Sequence, residues 1–473
     1  MPRPNFIFIM PDELRADAVH CIDGQPVQTP NMDALAARGV AFSNCFTVHT
    51  VCSPSRCSFM TGWYPHTRGH RTLTHLLRPD EPNLLKYLKS NGYFVQWNGK
   101  NDLLARATFA ESVSERGSMK APSYFWPPNP WPADHRFFKS FYFGPRKQER
   151  RGPYEDPDWV WVQEAAKFLQ FPPAQPFMLY LPLVFPHPPY TVEEPYFSMY
   201  DRSTVRKPLP ALLDDKPHFM REIHQSYGIG RLDEGDLCEI VATYWGMVTR
   251  FDDLVGQLVT ALDASPVRDN TVVILVSDHG DYVGDYGLTE KWWTGFQDCL
   301  ARVPLIAVLP GQSDGRRVDA LVETIDVFPT IMELAGIELQ HTQFGRSLLP
   351  LIRGETIEHR SAVFADGGQL PWEKHTLETL WPENTIYHDK TRIQNDDPTT
   401  VAKAAMIRTS EWKYVARLGG KEEELYDLKS DPGELVNLAT EEKYAALIRD
   451  LRDRQLQWFL ETGDVVPFDR DDR

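Results

Sequence analysis

Four short apolar runs, at residues 6–10, 94–97, 177–185 and 271–276, set the frame of this chain, and each runs out into polar residues. The first is followed by Asp12 and Glu13, the second by Gly99-Lys100, the third by His187 and the fourth by Asp278-His279. Runs this short and this rich in β-branched and aromatic residues read as strands buried on both faces. Between them the apolar spacing lengthens, predicting helices over 32–38, 83–91, 158–170 and 237–262. Strands alternating with helices predict an α/β protein with a large, mostly parallel sheet sandwiched by helices. In such sheets ligands gather beyond the carboxyl ends of the strands. Acids, imidazoles and a lysine at four strand ends therefore predict one site.

That pattern occupies roughly the first 350 residues, and residues 345–350 read as an exit from it. The stretch 367–398 is polar, aromatic and irregular. Beyond it, 404–418 and 424–428 predict strands of a small antiparallel sheet, and 441–462 a terminal helix. The expected division is a main, catalytic domain over 1–360 and a smaller α+β subdomain over 361–473. The irregular insertion, with Trp372, His375 and Trp381, is expected to line the pocket as a lid.

Composition narrows the partners. The 473 residues are 42% hydrophobic and 25% charged, with a formal charge of −16. This balance disfavours nucleic acid or an anionic membrane as a partner, although a local cation cluster still permits an anionic substrate. No apolar run reaches spanning length, and the first is too short for a signal segment, so a cytoplasmic protein is expected. The six cysteines show no tight disulfide or zinc spacing. A homo-oligomer is compatible with all of this.

The sharpest chemistry lies in Val-Cys-Ser-Pro-Ser-Arg-Cys-Ser-Phe-Met-Thr-Gly at residues 51–62, where Cys52, Pro54 and Arg56 form C-x-P-x-R. By itself this also reads as a packed cysteine at a helix start. Asp12, Glu13 and Asp278 are carboxylates that would repel one another without a cation between them. With His279 they suit a hard divalent ion, Ca²⁺ before Mg²⁺ or Mn²⁺.

The C-x-P-x-R motif with its Thr-Gly-Trp-Tyr-Pro continuation resembles the signature of the sulfatases, within the alkaline-phosphatase superfamily. The resemblance extends to Asp12-Glu13, Gly99-Lys100, the Pro-His-x-Pro-Tyr run at 186–190, Asp278-His279 before glycine, and Lys291 ahead of Arg302-Val303-Pro304. It implies an alkaline-phosphatase-like fold and hydrolysis of a small-molecule or saccharide sulfate ester. It implies that a formylglycine-generating enzyme oxidises Cys52 to Cα-formylglycine. One hydroxyl of the hydrated aldehyde attacks sulfur and the other expels sulfate. The modified Cys52 then joins the metal ligands Asp12, Glu13, Asp278 and His279. Arg56 would hold the formylglycine and a sulfate oxygen, Lys100 and Lys291 the sulfuryl and bridging oxygens, and His187 would act as general acid. Many sulfatases carry a histidine two residues after the Gly-Lys lysine, where this chain has Asp102. Asp102 or His75 is expected to fill that place, and Trp292 to face the substrate. Two other readings stand beside this one: a phosphonate monoester or phosphodiester hydrolase of the same superfamily, and a non-catalytic binding protein on the same fold.

Overall fold

Successive residues of the first strand point into different cores. In the computed structural model, which describes residues 3–118, 127–147 and 152–468, Ile7 and Ile9 of strand Asn5–Met10 join one core. Phe6, Phe8 and Met10 join another on the opposite face. Strands Phe177–Pro182 and Thr271–Val276 divide the same way, with Leu179, Leu181, Val273 and Leu275 on the first face and Met178, Tyr180, Val272 and Ile274 on the second. A strand whose side chains alternate between two covered faces has to be apolar at every position. Helices Pro157–Gln170 and Glu234–Asp263 cover the first face. Cys52–Thr61, Leu84–Ser90 and Val327–Ala335 cover the second. Side-chain caps fix several of these starts: Asn83 accepts from the Lys86 amide, and Asp156 from that of Trp159.

The nine-stranded sheet runs Arg316–Val318, Val40–Phe46, Arg302–Val308, Thr271–Val276, Asn5–Met10, Phe177–Pro182, Phe94–Trp97, Glu115–Arg116, with Val322–Glu323 also paired to Val40–Phe46. Pairing is parallel except around Arg302–Val308, which is antiparallel to both neighbours. The sheet is thus mixed and mostly parallel, as the sequence predicts. Ile9 lies opposite Leu275 and Met10 opposite Pro182, so three strand ends finish along one edge.

A four-stranded antiparallel sheet follows, ordered Val363–Gly367, Ala404–Arg408, Trp412–Arg417, Glu424–Asp427. One expectation is refined and one is corrected. The run over 404–418 is a hairpin, because the Thr409 amide turns back to the Trp412 carbonyl at 2.8 Å. The third apolar run ends at Pro182, because buried Asp158 takes the Val184 and Phe185 amides at 2.9 and 2.8 Å, diverting them from the ladder. The irregular stretch contains a helix, His388–Asp396. The terminal helix, Ala445–Thr462, sets Ile448 and Leu451 against the small sheet. Its Trp458 stacks on Phe364 and meets Tyr64 edge-on, each with ring centroids 4.9 Å apart. Among the described residues no helix is long and apolar enough to cross a membrane.

Where the chain leaves the large sheet, Arg360 pairs with Asp326 and, at 3.2 Å, with Glu323, both fully buried. Arg360→Met would leave two buried acids short of their cation, so a loss of about 3–5 kcal/mol is expected in urea unfolding. A loss below about 1 kcal/mol would place this pair with ordinary surface ion pairs.

Candidate active site

Asp12 and Glu13 leave the first strand in a turn locked from both sides. Glu13 has φ 64°, a left-handed conformation uncommon outside glycine. Its amide donates to Asp278 Oδ1 at 3.3 Å, and its carbonyl accepts the Tyr244 hydroxyl of the long helix at 2.6 Å. The next amide, of Leu14, donates to Ser277 Oγ at 3.0 Å. The two acid-bearing strand ends are therefore tied together. Cys52 opens the helix Cys52–Thr61, whose first-turn amides have no partner within the helix and carry partial positive charge. Arg56 follows four residues later on the same helix face. Pro54 sits in the first turn, where its missing N–H costs least.

Around Cys52 the groups converge. Its thiol donates to Asp12 Oδ1 at 3.5 Å, and His279 Nε2 lies 3.3 Å from Sγ. His279 Nδ1 faces the Gly280 carbonyl at 2.9 Å, so it carries the proton and Nε2 turns its lone pair toward Cys52. Arg56, fully buried, donates Nε to Asp278 at 2.8 Å and Nη2 to Asp12 at 3.0 Å. Lys100 contacts Asp12 and pairs with Asp102 at 2.7 Å. Lys291 contacts Glu13 and donates to His187 Nε2 at 3.0 Å. His187 Nδ1 meets the Pro188 carbonyl at 2.5 Å, so this ring also carries its proton on Nδ1.

Burial shapes the protonation of the group. It pushes the Cys52 thiol well above its usual range, and Asp12 adds to that. For Asp12 burial acts upward too, but Lys100 and Arg56 outweigh it and hold the carboxyl well below its usual range. Burial and then Lys291 press His187 far down, leaving a neutral imidazole that accepts from Lys291. Lys100 is raised against its own burial by Asp102 and Asp12 and stays an ammonium.

The donors fit a divalent cation. Asp12, Cys52, Asp278 and His279 each offer one atom, all within 4.8 Å of one another, and Asp12, Glu13 and His187 form a second such group. Glu13 Oε2 and Arg56 Nη1 are buried without hydrogen-bond partners. Orphaned buried atoms of opposite sign are what a bound cation and anion would satisfy. The first group offers two carboxylates, one imidazole and one thiol, and the second two carboxylates and one imidazole, so carboxylates, the ligands of a hard divalent ion, predominate.

At Cys52 the site opens into a cavity of about 450 Å³. Cys52, Lys100, Asp102, His187, Glu290 and Lys291 border it, while Trp161, Trp381 and Tyr387 make aromatic walls. Trp292 does not face it: the ring is fully buried, stacks on Phe219 and donates to the Thr400 carbonyl at 2.7 Å. His75 lies off the cavity wall, its Nδ1 2.5 Å from Thr72 Oγ1, beside His375. Of the lid residues, Trp381 reaches the cavity, whereas Trp372 is 70% exposed. Glu290 and Lys390, both at the cavity and joined at 2.6 Å, carry no sequence signal beyond Glu290's place before Lys291.

The sulfatase family model matches residues 4–337. This chain belongs to the sulfatase family. That makes it a hydrolase of sulfuric esters. The multifunctional alkaline phosphatase superfamily protein PehA of Trinickia caryophylli is 29% identical over 98% of this chain and 96% of its own. Arylsulfatase K of Canis lupus familiaris is 26% identical, covering 92% of this chain and 79% of its own. Among solved structures, the phosphonate monoester hydrolase of Silicibacter pomeroyi shares the fold with a TM-score of 0.77, at 24% identity over 97% of this sulfatase and 96% of its own chain.

If Asp278 is a ligand in this sulfatase, Asp278→Asn keeps the side-chain shape but weakens metal binding by about tenfold or more, the scale of losing one anionic contact. Elemental analysis after dialysis should show metal near one per chain in the wild type and much less in the variant. Equal content in both would remove Asp278 from the ligand set.

Proposed function

We propose that this sulfatase hydrolyses aryl or sugar sulfate monoesters with formylglycine made from Cys52 and one divalent ion, calcium, held by Asp12, Glu13, Asp278, His279 and the modified residue. The observation that carries the reading is charge balance around one nucleophile. The carboxylates Asp12, Glu13, Asp102, Asp278 and Glu290 contact the cations Arg56, Lys100, Lys291 and Lys390, so the centre holds more negative than positive charge and a divalent ion would offset the excess where an anionic ester must bind. A buried thiol held protonated is a poor nucleophile as it stands, which fits a cysteine destined for oxidation. Its Sγ marks where the oxygens of the formylglycine hydrate would lie.

The hydrate supplies one hydroxyl for attack and another for release of sulfate, and the bound ion supplies positive charge to that diol and to a sulfuryl oxygen. The remaining work falls to this chain's own groups. Arg56 keeps Asp12 and Asp278 ionised and in register. His279, its lone pair on the Cys52 side, orients that residue. Lys100, steadied by Asp102, faces the cavity as a fixed positive charge. When the S–O bond breaks, its electron pair goes to the bridging oxygen, and Lys291 is the cation that accompanies it. Lys291 donates to neutral His187, so the two share the proton that the leaving alcohol needs. The aromatic walls of Trp161, Trp381 and Tyr387 receive that alcohol's apolar or ring face.

A phosphonate monoester or phosphodiester hydrolase is the second reading, favoured by likeness to the phosphonate monoester hydrolase of Silicibacter pomeroyi. Lys100 argues for sulfate, because its Gly99-Lys100 setting resembles the sulfatase motif.

Intact mass of active protein should show Cys52 as an aldehyde or its hydrate, and Cys52→Ala should fold normally with no turnover. Full activity with an unmodified thiol would sink the formylglycine assignment.

Lys100→Ala and Lys291→Ala should each lower kcat/KM by about 10²-fold, the scale for losing one such donor. Losses should be larger for esters with poor alkyl leaving groups than for activated aryl sulfates. A panel of aryl sulfate, sugar sulfate, phosphodiester and phosphonate checks this. Unchanged sulfate hydrolysis alongside crippled phosphonate hydrolysis in both variants would promote the second reading.

A further inference from the structure

Lys291 is not held by the reaction centre alone. Glu290, immediately before it, has φ 66° and a fully buried side chain. Its carboxylate accepts the Lys291 amide at 2.8 Å and pairs with the Lys291 ammonium at 3.0 Å. The same carboxylate takes the Lys390 ammonium on both oxygens, at 2.6 and 2.7 Å. Lys390 comes from helix His388–Asp396, a hundred positions along the chain, and is 3% exposed. Among the described residues every hydrogen bond of its ammonium goes to Glu290, and the Trp293 ring closes it off with its centroid 4.8 Å away. A lysine seldom becomes this buried unless its charge has a partner and a use. Glu290 in turn adopts a backbone conformation that side-chain-bearing residues avoid, and such outliers cluster at functional sites.

We propose that Lys390 is a positioning residue for Lys291, acting through Glu290, and that this is how residues 374–396 take part in turnover. The inference rests on the reading that Lys291 stands by the departing oxygen. The electrostatics give the reason. Glu290 carries one negative charge and touches two ammonium groups. With Lys390 in place that charge is largely neutralised, and Lys291 is free to turn its three N–H bonds toward Glu13, His187 and the bridging oxygen. Without Lys390, Glu290 would hold Lys291 as its sole cation and draw it back from the cavity. The row Glu13, Lys291, Glu290, Lys390 alternates in sign, so each charge fixes the next. Lys390 touches no reacting atom in this arrangement. Tyr387, one turn earlier on the same segment, lines the cavity itself, so the helix that delivers Lys390 also shapes the pocket.

The test is a leaving-group series of phenyl sulfates, from 4-nitrophenyl to unsubstituted phenyl, turned over by metal-loaded enzyme. Lys390→Met should lower kcat/KM by about 10- to 100-fold, the scale for a group supporting a catalytic residue. The loss should grow as the leaving group worsens and should fall on kcat rather than KM. Lys390→Arg should recover part of it, and Glu290→Gln should reproduce the steeper dependence. In a Lys291→Ala background, Lys390→Met should add little, because both changes remove one interaction. A loss equal across the series, or one that multiplies fully with Lys291→Ala, would overturn the proposal and leave Lys390 a packing residue. If Lys390→Met unfolds, Glu290→Gln and Lys390→Arg decide the matter by the same slope. Should the wild type ignore sulfates and cleave aryl phosphonates, the sulfate reading fails separately. The same series on phosphonates then tests the positioning role by the same slope.

Discussion

One guanidinium sealed from water joins the two acidic strand ends of this sulfatase. Arg56 reaches Asp12 with one nitrogen and Asp278 with another, at 3.0 and 2.8 Å, and none of its side chain is exposed. Taking two carboxylates and a cation out of water is expensive, and their attraction repays it only when the geometry is good and the remaining lone pairs are bonded. Here they are. Asp278 also accepts the amides of Glu13 and His279, at 3.3 and 2.9 Å, so it ties its own strand end to that of the first strand. The consequence for chemistry is a division of labour. With Nε and Nη2 committed to the acids, Arg56 has Nη1 left as its unpartnered group, and its main effect on an ester is to fix the frame. The lysines, compact charges on flexible stems, are better placed to follow charge as it moves.

Most of that frame is legible in the amino-acid sequence because burial leaves it no choice. Strands covered on both faces must be continuously apolar, so residues 6–10 and 271–276 announce themselves, and the first polar residues after them mark the sheet edge. The third run misleads by three residues, since Val184 and Phe185 are as apolar as the strand before them. Only a distant carboxylate, Asp158, decides that their amides leave the ladder. Trp292 misleads for a different reason. It adjoins Lys291 in sequence, but the two side chains diverge, one into the cavity and one toward Phe219 and Thr400. The place of the missing histidine was equally hidden. The imidazole in contact with Cys52 belongs to His279, while Asp102 steadies Lys100.

The contribution of residues 374–396 is foretold only through Trp381, and Tyr387 and Lys390 carry no signal of it. Their composition is polar and irregular, without a period to read, yet Trp381, Tyr387 and Lys390 all reach the cavity. Tertiary contacts place them there. Lys139 pairs with Asp389 at 2.8 Å, and Tyr387 packs on Phe141 with centroids 5.5 Å apart. Side chains from far along the chain thereby set the walls around residues that run from Cys52 to Lys291.

The cavity inherits two characters from these two sources. Groups at the strand ends are rigid, charged and buried, as stabilising a transferred anion requires, since dipoles and charges act most strongly where nothing must reorganise. Groups from the C-terminal stretch include the rings of Trp381 and Tyr387, suited to a leaving alcohol whose shape varies between substrates. Glu290 is the joint between them. It adjoins a lysine of the first kind and binds a lysine carried by the second, so the segment that meets the alcohol also bears on the charge beside the breaking bond. In such an arrangement recognition of the leaving group and stabilisation of its developing charge are not separate tasks. Contacts made by the alcohol along this helix reach the ammonium through a single carboxylate, a short route by which binding energy remote from sulfur can be expressed in the transition state.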